Sequence, residues 1–442
     1  MNMKKKIEEI VYDFFLSSTD FNGIPLRRIS EELKIEYTKS IDLIKELVLN
    51  EIITIQSSTN PHIIRAQHYP IKNQLSILED AKNTKITYSK IGEFNFAVED
   101  TEFPICLYPT KNYLKENRDL TQYGYADYTK QLALGEPQLK PLFFDIEVID
   151  RYFSDPRYDT IFNDYSGRIY CKYDEEGKAL LREEDQIFIK TFGLGFDDNG
   201  NRLAVVYLRY LKNLTTEHQI FWKGKEVKGN CKILEEYYKN TIIGDWAFSH
   251  SIFSAFLGEI ESLNNLASHI FGIQLFSNTF KDEKRPKEFT FFFTPTLKNY
   301  ESFVSLLDKM ISENINKDFF KDRIDLFEIR NKGNNVSEKI PKGTLRLFEE
   351  WLLSQYTLDN GSQSGIQEVF KPLKNVRKER QNPAHKINEN EYDKKYIEKQ
   401  KNMITDVYLS IKSLRKIFQQ HRDAKGVEIP GWLDKDNNIK MF

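Results

Sequence analysis

The sequence predicts an α+β protein of about three domains. Its 442 residues are too many for one ordinary hydrophobic core. The apolar pattern also changes twice, from short helices and a hairpin, through a run of strands, to long amphipathic helices. We therefore expect a first domain at 1–70, a β-rich middle domain at 71–245 and a helical domain at 246–442.

The composition is that of a folded protein without a membrane span. Hydrophobic residues make up 40% and aromatic residues 13%, enough to build cores. No run of about 18 apolar residues occurs, and Glu8 and Glu9 follow the basic start, unlike in a signal peptide. Cys106, Cys171 and Cys231 form no CxxC pair, which argues against a disulfide framework or a structural zinc site. We expect a cytoplasmic protein with no cofactor.

The first 70 residues have the element order of a winged helix. Apolar residues recur at helical spacing in three segments, and two short strands, 52–57 and 62–66, follow. The third helix of this fold often reads DNA. Here nine Lys and Arg face ten Asp and Glu, which gives phosphate little to bind. The segment could contact DNA or protein, and protein contact or dimerisation is favoured.

The middle of the chain reads as mostly β. Residues 71–140 have few strong periods and are interpreted as an extended connector with some strands. After them, apolar runs separated by turn sequences predict four strands, at 142–149, 168–173, 186–192 and 202–210.

One short motif in this region suggests a metal enzyme. Phe144-Asp145-Ile146-Glu147 resembles the first motif of DnaQ-like 3′–5′ exonucleases, in which Asp145 and Glu147 would bind two metal ions. The further acids Asp164 and Asp174 do not complete that family's set. Two acids one residue apart on the solvent face of a strand explain the pattern equally well.

The last third is helical. Amphipathic periods separated by polar breaks predict an up-and-down bundle of five helices, at 251–272, 297–315, 344–357, 364–381 and 391–419.

The residues with the clearest chemical meaning precede the last helix. Arg380 and His385 form the pattern Arg-x4-His, with polar Gln381 directly after the arginine. This segment resembles the active-site motif of HEPN domains, helical RNases whose motif is Arg-x4–6-His, and the resemblance covers about residues 250–425. The alternative is a capped helix start, with Asn382 as N-cap and Pro383 as the first helical residue.

The resemblance implies an activity and an assembly. HEPN domains are metal-independent endoribonucleases of bacterial phage defence and of toxins, and two protomers bring their motifs together, so a homodimer is expected. The implied catalytic residues are Arg380 and His385, with Gln381, Asn382 and Arg377 in support. A second match, Arg415 and His421, has lysine after the arginine and lies at the end of the last helix, so the first is preferred.

Both residue types suit RNA cleavage. A histidine with pKa near 6.5 moves protons at the 2′-hydroxyl or the leaving oxygen. An arginine offers a bidentate fork to the charge that develops on the phosphoryl oxygens.

The charge near the motif favours RNA. Residues 371–425 hold 15 Lys and Arg against 7 Asp and Glu, a net of +8 in a chain that nets −2. The candidate RNA contacts are Lys374, Lys378, Lys386, Lys394 and Lys395, although such lysines are also typical of a solvated helix face. Three nearby aromatic residues could stack on bases but at helical spacing are more typical of core: Tyr392, Tyr396 and Tyr408.

Two other functions stay open. One is a winged-helix DNA-binding regulator with a non-catalytic, dimerising helical bundle. The other is the metal-dependent DnaQ-like exonuclease.

Overall fold

The computed structural model has a mixed α+β fold, as the sequence predicts, with 52% of residues in helices and 17% in strands. The chain forms two compact units where the sequence predicts three domains: unit 1 is Met1–Thr160 with Ser166–Leu234, and unit 2 is Ile161–Tyr165 with Glu235–Phe442. No described helix is long and apolar enough to cross a membrane. The structure describes residues 3–56, 69–91, 94–101, 103–245, 249–281, 284–331, 337–356, 364–381, 389–435 and 438–442.

Unit 1 begins with the three helices that the sequence predicts. Their predicted apolar stripes pack into one core, which includes Ile7, Ile29 and Ile44. The elements, in chain order, are α1 (Met3–Ser17), β1 (Ile24–Pro25), α2 (Leu26–Leu33), α3 (Tyr37–Leu49) and β2 (Ile53–Ile55).

The strand that pairs with β2 comes from further along the chain than expected. The predicted partner, 62–66, lies outside the described residues, and β2 pairs antiparallel with β5 in a sheet of order β1–β5–β2. The interpretation of 71–140 as an extended connector is wrong where helices occur, because Leu78 and Ala81 of α4 join the core of α3. The elements here are α4 (Ile71–Ala81), β3 (Ile86–Ile91), β4 (Phe94–Glu99), β5 (Cys106–Pro109), α5 (Lys111–Asn117) and α6 (Asp127–Ala133).

The rest of unit 1 is built on a seven-stranded sheet. Its order is β11–β6–β10–β9–β8–β7, and β12 also pairs with β9. At Gly195 a side chain would meet Lys232 O at 2.7 Å, so glycine allows this close approach of strands. The elements are β6 (Pro141–Asp145), α7 (Glu147–Ser154), β7 (Tyr158–Phe162), β8 (Ser166–Cys171), β9 (Phe188–Phe196), β10 (Arg202–Tyr207), α8 (Leu208–Leu211), α9 (Thr216–Gly224), β11 (Glu226–Val227) and β12 (Lys232–Ile233).

Two of the four predicted strands are too long. The strand predicted at 142–149 ends at Asp145, and the one predicted at 202–210 ends at Tyr207. In the first case α7 follows, because Val148, Ile149 and Tyr152 form a buried helical face. A continuous apolar run cannot distinguish a buried strand from the start of a buried helix.

Unit 2 is mainly helical and matches the predicted helices closely. Helices α11 and α15 pack along each other, and α14 packs against α12, α13 and α15. The elements are α10 (Glu235–Tyr238), β13 (His250–Ser251), α11 (Ile252–Phe271), α12 (Leu297–Asp308), β14 (Phe327–Asn331), β15 (Ser337–Pro341), α13 (Thr344–Gln355), α14 (Ser364–Gln381), α15 (Lys395–Gln419) and β16 (Ile439–Lys440). A π-helix at Lys309–Glu313 directly continues α12.

A buried histidine network joins α7 and α9 in unit 1. The Tyr152 hydroxyl lies 2.8 Å from His218 Nδ1, and His218 Nε2 lies 3.1 Å from the Asp185 carbonyl. Since a carbonyl only accepts, Nε2 carries the proton, and Nδ1 accepts from Tyr152. Trp222 Nε1 donates to the same hydroxyl at 2.9 Å. Every polar atom of this network is therefore paired only while the imidazole is neutral.

The histidine network predicts a loss of stability in acid. Burial, the largest cause, lowers the pKa of His218 below its usual 6.5. The unfolded chain therefore takes up this proton first, so the stabilisation is complete above about pH 6.5 and decreases as the pH falls. We expect urea unfolding of the parent to show a larger drop in free energy between pH 7.5 and pH 5 than His218→Gln. An equal drop in both proteins would contradict this prediction.

Candidate functional site

Two arginines end the buried stripe of α14. Leu373 and Val376 are buried on the face that packs in the bundle, and Arg377 and Arg380 follow each of them by four residues. Residues four apart share a helix face, so the arginines continue the stripe at the end of the helix. Both point at α12 rather than away from the bundle, as the ion pairs of their side chains show.

The acceptors are two carboxylates from α12 and its π-helical extension. Arg380 Nη1 lies 2.5 Å from Asp308 Oδ2 and 2.5 Å from Glu313 Oε1, and Arg377 Nη1 lies 3.7 Å from the same Asp308 oxygen. Asp308 is completely buried and also accepts from the Ser312 hydroxyl at 2.6 Å. The motif arginine is thus fixed by two acids that the sequence analysis did not identify.

The π-turn brings these two acids together. In an α-helix, residues five apart lie about 140° from each other around the axis. Here the Asn314 N–H bonds to the Lys309 carbonyl, an i→i+5 contact that widens the turn. Asp308 and Glu313 can therefore contact the same guanidinium. A signal was present in the sequence, since Asp308 interrupts an apolar helical face between Leu307 and Met310.

The ion pairs decide the electrostatics at Arg380. The bonds to Asp308 and then to Glu313 raise the pKa of Arg380 above its ordinary value, so the guanidinium stays charged. Two arginines face two carboxylates, which leaves no net charge in this group. The Glu313 side chain is half-exposed, as is much of Arg380, so a phosphate could reach the arginine by displacing Glu313.

The histidine of the motif lies outside the described residues, as do Asn382 and Lys386. Gln381 is exposed as the last residue of α14. The residues after this gap are attached to the start of α12, where the Leu297 N–H bonds to the Glu391 carbonyl at 2.9 Å. Arg380 is attached at the other end of α12. Both flanks of residues 382–388 are therefore held by the same helix.

The second motif match is a structural ion pair. Arg415 is 0% exposed and binds the Glu259 carboxylate of α11, with Nη2 3.1 Å from Oε1. It also contacts Asp434 at 2.8 Å. Burial acts to lower the pKa of Arg415, but these bonds raise it above the ordinary value. His421 is occupied locally, because its Nδ1 accepts from the Asp423 N–H at 3.2 Å.

The net charge of +8 is partly offset by acids from elsewhere. Lys374 pairs with Glu349 of α13 at 2.6 Å, just as Arg380 and Arg415 pair with acids outside 371–425. Lys395 pairs within the window, with Glu391 and Asp393. Of the candidate RNA contacts within the described residues, Lys378 and Lys394 remain as exposed lysines without an ion pair.

Of the three tyrosines, two belong to the core. Tyr396 and Tyr408 are buried, whereas Tyr392 is 56% exposed. Tyr392 also bridges to Thr296 beside the start of α12. It is the member of this set that a base could reach.

The acids of the exonuclease-like motif are not arranged as the sequence analysis assumed. Asp145 ends β6 and accepts from the Glu147 N–H at 3.0 Å, and Glu147 begins α7 and pairs with Lys225 at 3.3 Å. Asp164 is buried and accepts from Thr290 at 2.7 Å, within unit 2. Among the described residues, no group of three His, Cys, Asp or Glu side chains could hold a metal ion.

Comparison with known proteins gives no relative. No family model, curated protein or solved structure matches this chain.

The buried ion pair predicts a large effect of Arg415. Arg415→Met leaves the Glu259 carboxylate buried without its cation, and we expect the free energy of unfolding to fall by about 3–5 kcal/mol. The double variant Arg415→Met/Glu259→Leu should recover much of this loss, because it buries neither charge. Denaturant unfolding measures both values.

Arg422→Met is the matched control. Its arginine is 88% exposed and pairs with exposed Asp423, so the change should stay within about 0.5 kcal/mol. The prediction fails if Arg415→Met costs no more than this control.

Proposed function

We propose that the chain is a metal-independent endoribonuclease of HEPN type, with Arg380 and His385 as its catalytic residues. The observation that carries the proposal is the contrast between the two motif arginines. Arg415 is buried in an ion pair and has no access to a phosphate, whereas the Arg380 side chain is 32% exposed at the end of α14. Only the first motif therefore has an arginine that substrate could contact.

The proposed reaction uses the RNA itself as nucleophile. The 2′-oxygen attacks the adjacent phosphorus, the bond from phosphorus to the 5′-oxygen breaks, and a 2′,3′-cyclic phosphate and a 5′-hydroxyl result. His385 would move a proton at the 2′-hydroxyl or at the leaving oxygen. Arg380 would stabilise the negative charge on the phosphoryl oxygens. Gln381 and Asn382 would orient the phosphate or the imidazole.

The ion pairs of Arg380 suggest how substrate would bind. A phosphate that enters must replace the half-exposed Glu313, while buried Asp308 keeps its contact and fixes the guanidinium. A positioned arginine stabilises a transition state better than a freely rotating one, because less ordering is needed. Asp308 is thus a positioning residue in this proposal and Glu313 a competitor of the substrate.

The wider role rests on the resemblance alone. A HEPN-type enzyme would act as a homodimer, with the motifs of two protomers in one composite site. A cytoplasmic function in phage defence or as a regulated toxin would follow, and unit 1 would sense the trigger or hold the enzyme inactive.

Cleavage of a single-stranded RNA by the purified protein tests this proposal. His385→Ala should lower the rate by about 100-fold or more, and Arg380→Ala by a similar factor, as expected for loss of a proton-transfer group or a charge-stabilising group. The parent should keep its activity in excess chelator, whereas a two-metal exonuclease would lose it.

Two variants serve as controls. His421→Ala alters the second motif and should leave cleavage unchanged. Glu313→Gln removes one of the acids that bind Arg380 and should not lower the rate, which separates catalysis from loss of the ion pairs. Thermal melting must show that each variant is folded, since Arg380→Ala removes a partner of buried Asp308. Full cleavage by both His385→Ala and Arg380→Ala would refute the proposal.

For the start of unit 1 we propose a winged-helix module that binds protein rather than DNA. The order α1–β1–α2–α3–β2, with β5 between β1 and β2, supports the winged-helix assignment. The exposed acids of α3 oppose DNA binding, because Asp42 pairs with Lys82 and Glu46 with Lys4. Helix α4 also packs against α3, which restricts its entry into a groove.

This module should show little affinity for duplex DNA. Asp42 and Glu46 would approach phosphates, so we expect no specific binding to random duplexes or to enriched ones at 0.15 M salt. Fluorescence anisotropy with a selected duplex library measures this. Sequence-specific binding that weakens linearly with log salt and is lost in Lys39→Glu, an exposed residue of α3, would contradict the assignment.

A further inference from the structure

The sheet of unit 1 presents an aromatic pair to solvent. Phe188 begins β9 and is 55% exposed, although a buried phenylalanine would stabilise the fold by about 1.5–3 kcal/mol. Tyr170 of β8 lies directly opposite in the antiparallel register, and its ring is partly exposed. Directly opposed residues on one sheet face have neighbouring side chains. Two aromatic rings from separate strands therefore share one open face.

The alternation of burial shows that this face is solvent-exposed along both strands. Ile169 and Cys171 of β8 are buried on the opposite face, as is Ile189 of β9. Successive side chains of a strand point to opposite faces, so Tyr170 and Phe188 point away from the core. The Tyr170 hydroxyl donates to Asp159 at 3.0 Å, which fixes the ring.

Two cations lie beside the aromatic pair. Arg168 is two residues before Tyr170 and Lys190 is two residues after Phe188, and both are exposed. A bulge places 190 and 191 opposite Arg168, so the cations are neighbours across the strands. Within the described part of the chain, neither takes part in an ion pair. The face therefore carries aromatic rings and uncompensated positive charge, with Asp159 as its bonded acid.

We propose that this face, defined by Arg168, Tyr170, Phe188 and Lys190, binds single-stranded RNA. Bases stack on exposed rings without regard to sequence, and phosphates bind the adjacent cations. The charge argues against an apolar protein partner or a second copy, which would bury Arg168 and Lys190 against like charges. The choice of RNA over DNA rests on the proposed RNase function, but the stacking and the charge require only a single strand.

Binding of a fluorescent 12-nucleotide RNA to full-length His385→Ala tests the proposal, because that background separates binding from cleavage. Phe188→Ala should weaken binding by about tenfold, as expected for loss of one stacked base. Phe188→Tyr should bind like the parent. Arg168→Gln with Lys190→Gln should lower the slope of log affinity against log salt by about 1.4, or 0.7 for each phosphate.

The controls distinguish the alternatives. Tyr125→Ala removes a 79% exposed aromatic residue elsewhere in unit 1 and should leave the affinity unchanged. Unchanged affinity in Phe188→Ala, or no RNA binding by the parent background, would overturn the proposal. So would tighter binding of single-stranded DNA of the same sequence, or a change of oligomeric state in Phe188→Ala at constant RNA affinity. Cleavage by His385→Ala would instead refute the RNase proposal and leave the binding result standing.

Discussion

The buried ion pair between Glu259 and Arg415 is the constraint on which the helical unit depends. It joins α11 to α15, the first and last long helices, and both side chains are shielded completely from solvent. Burial raises the pKa of Glu259 even beside its cation, which shows how costly the charge is in this place. Two charges are tolerated there only because Asp434 and Gln419 satisfy the remaining donors of the guanidinium. The pair therefore fixes the position of one helix along the other.

This constraint also separates two arginines that look equivalent in the sequence. Arg415 holds the bundle together, and the same burial that makes it structural removes it from any substrate. Arg380 lies where α14 ends, so only one side of its guanidinium is covered. Asp308 fixes it from the protein interior, and Glu313 covers it from the solvent side. A residue with a rigid inner partner and an exchangeable outer one is suited to bind an anion without large rearrangement.

Local patterns were predicted well from the sequence, and long-range partners were not. Helices α11 to α15 begin and end close to the predicted positions because each has several turns of amphipathic period. The strand β5 that completes the first sheet could not be found, since it pairs with β2 across more than 50 residues of chain. The site shows the same limit. Arg380 was identified from its own segment, whereas Asp308 and Glu313 come from another helix and a π-turn that no simple period predicts.

The charge of the chain follows this distinction to its end. The basic segment 371–425 suggested a phosphate-binding surface, but Lys374, Arg380 and Arg415 take their counter-charges from α11, α12 and α13. Arg168 and Lys190 attract no notice in the sequence, since 21 residues separate them. Strand pairing makes them neighbours without a nearby carboxylate that binds either one. Because phosphate binding depends on charge that remains uncompensated in the folded state, the sheet of unit 1 is a stronger candidate for RNA contact than most lysines beside the motif.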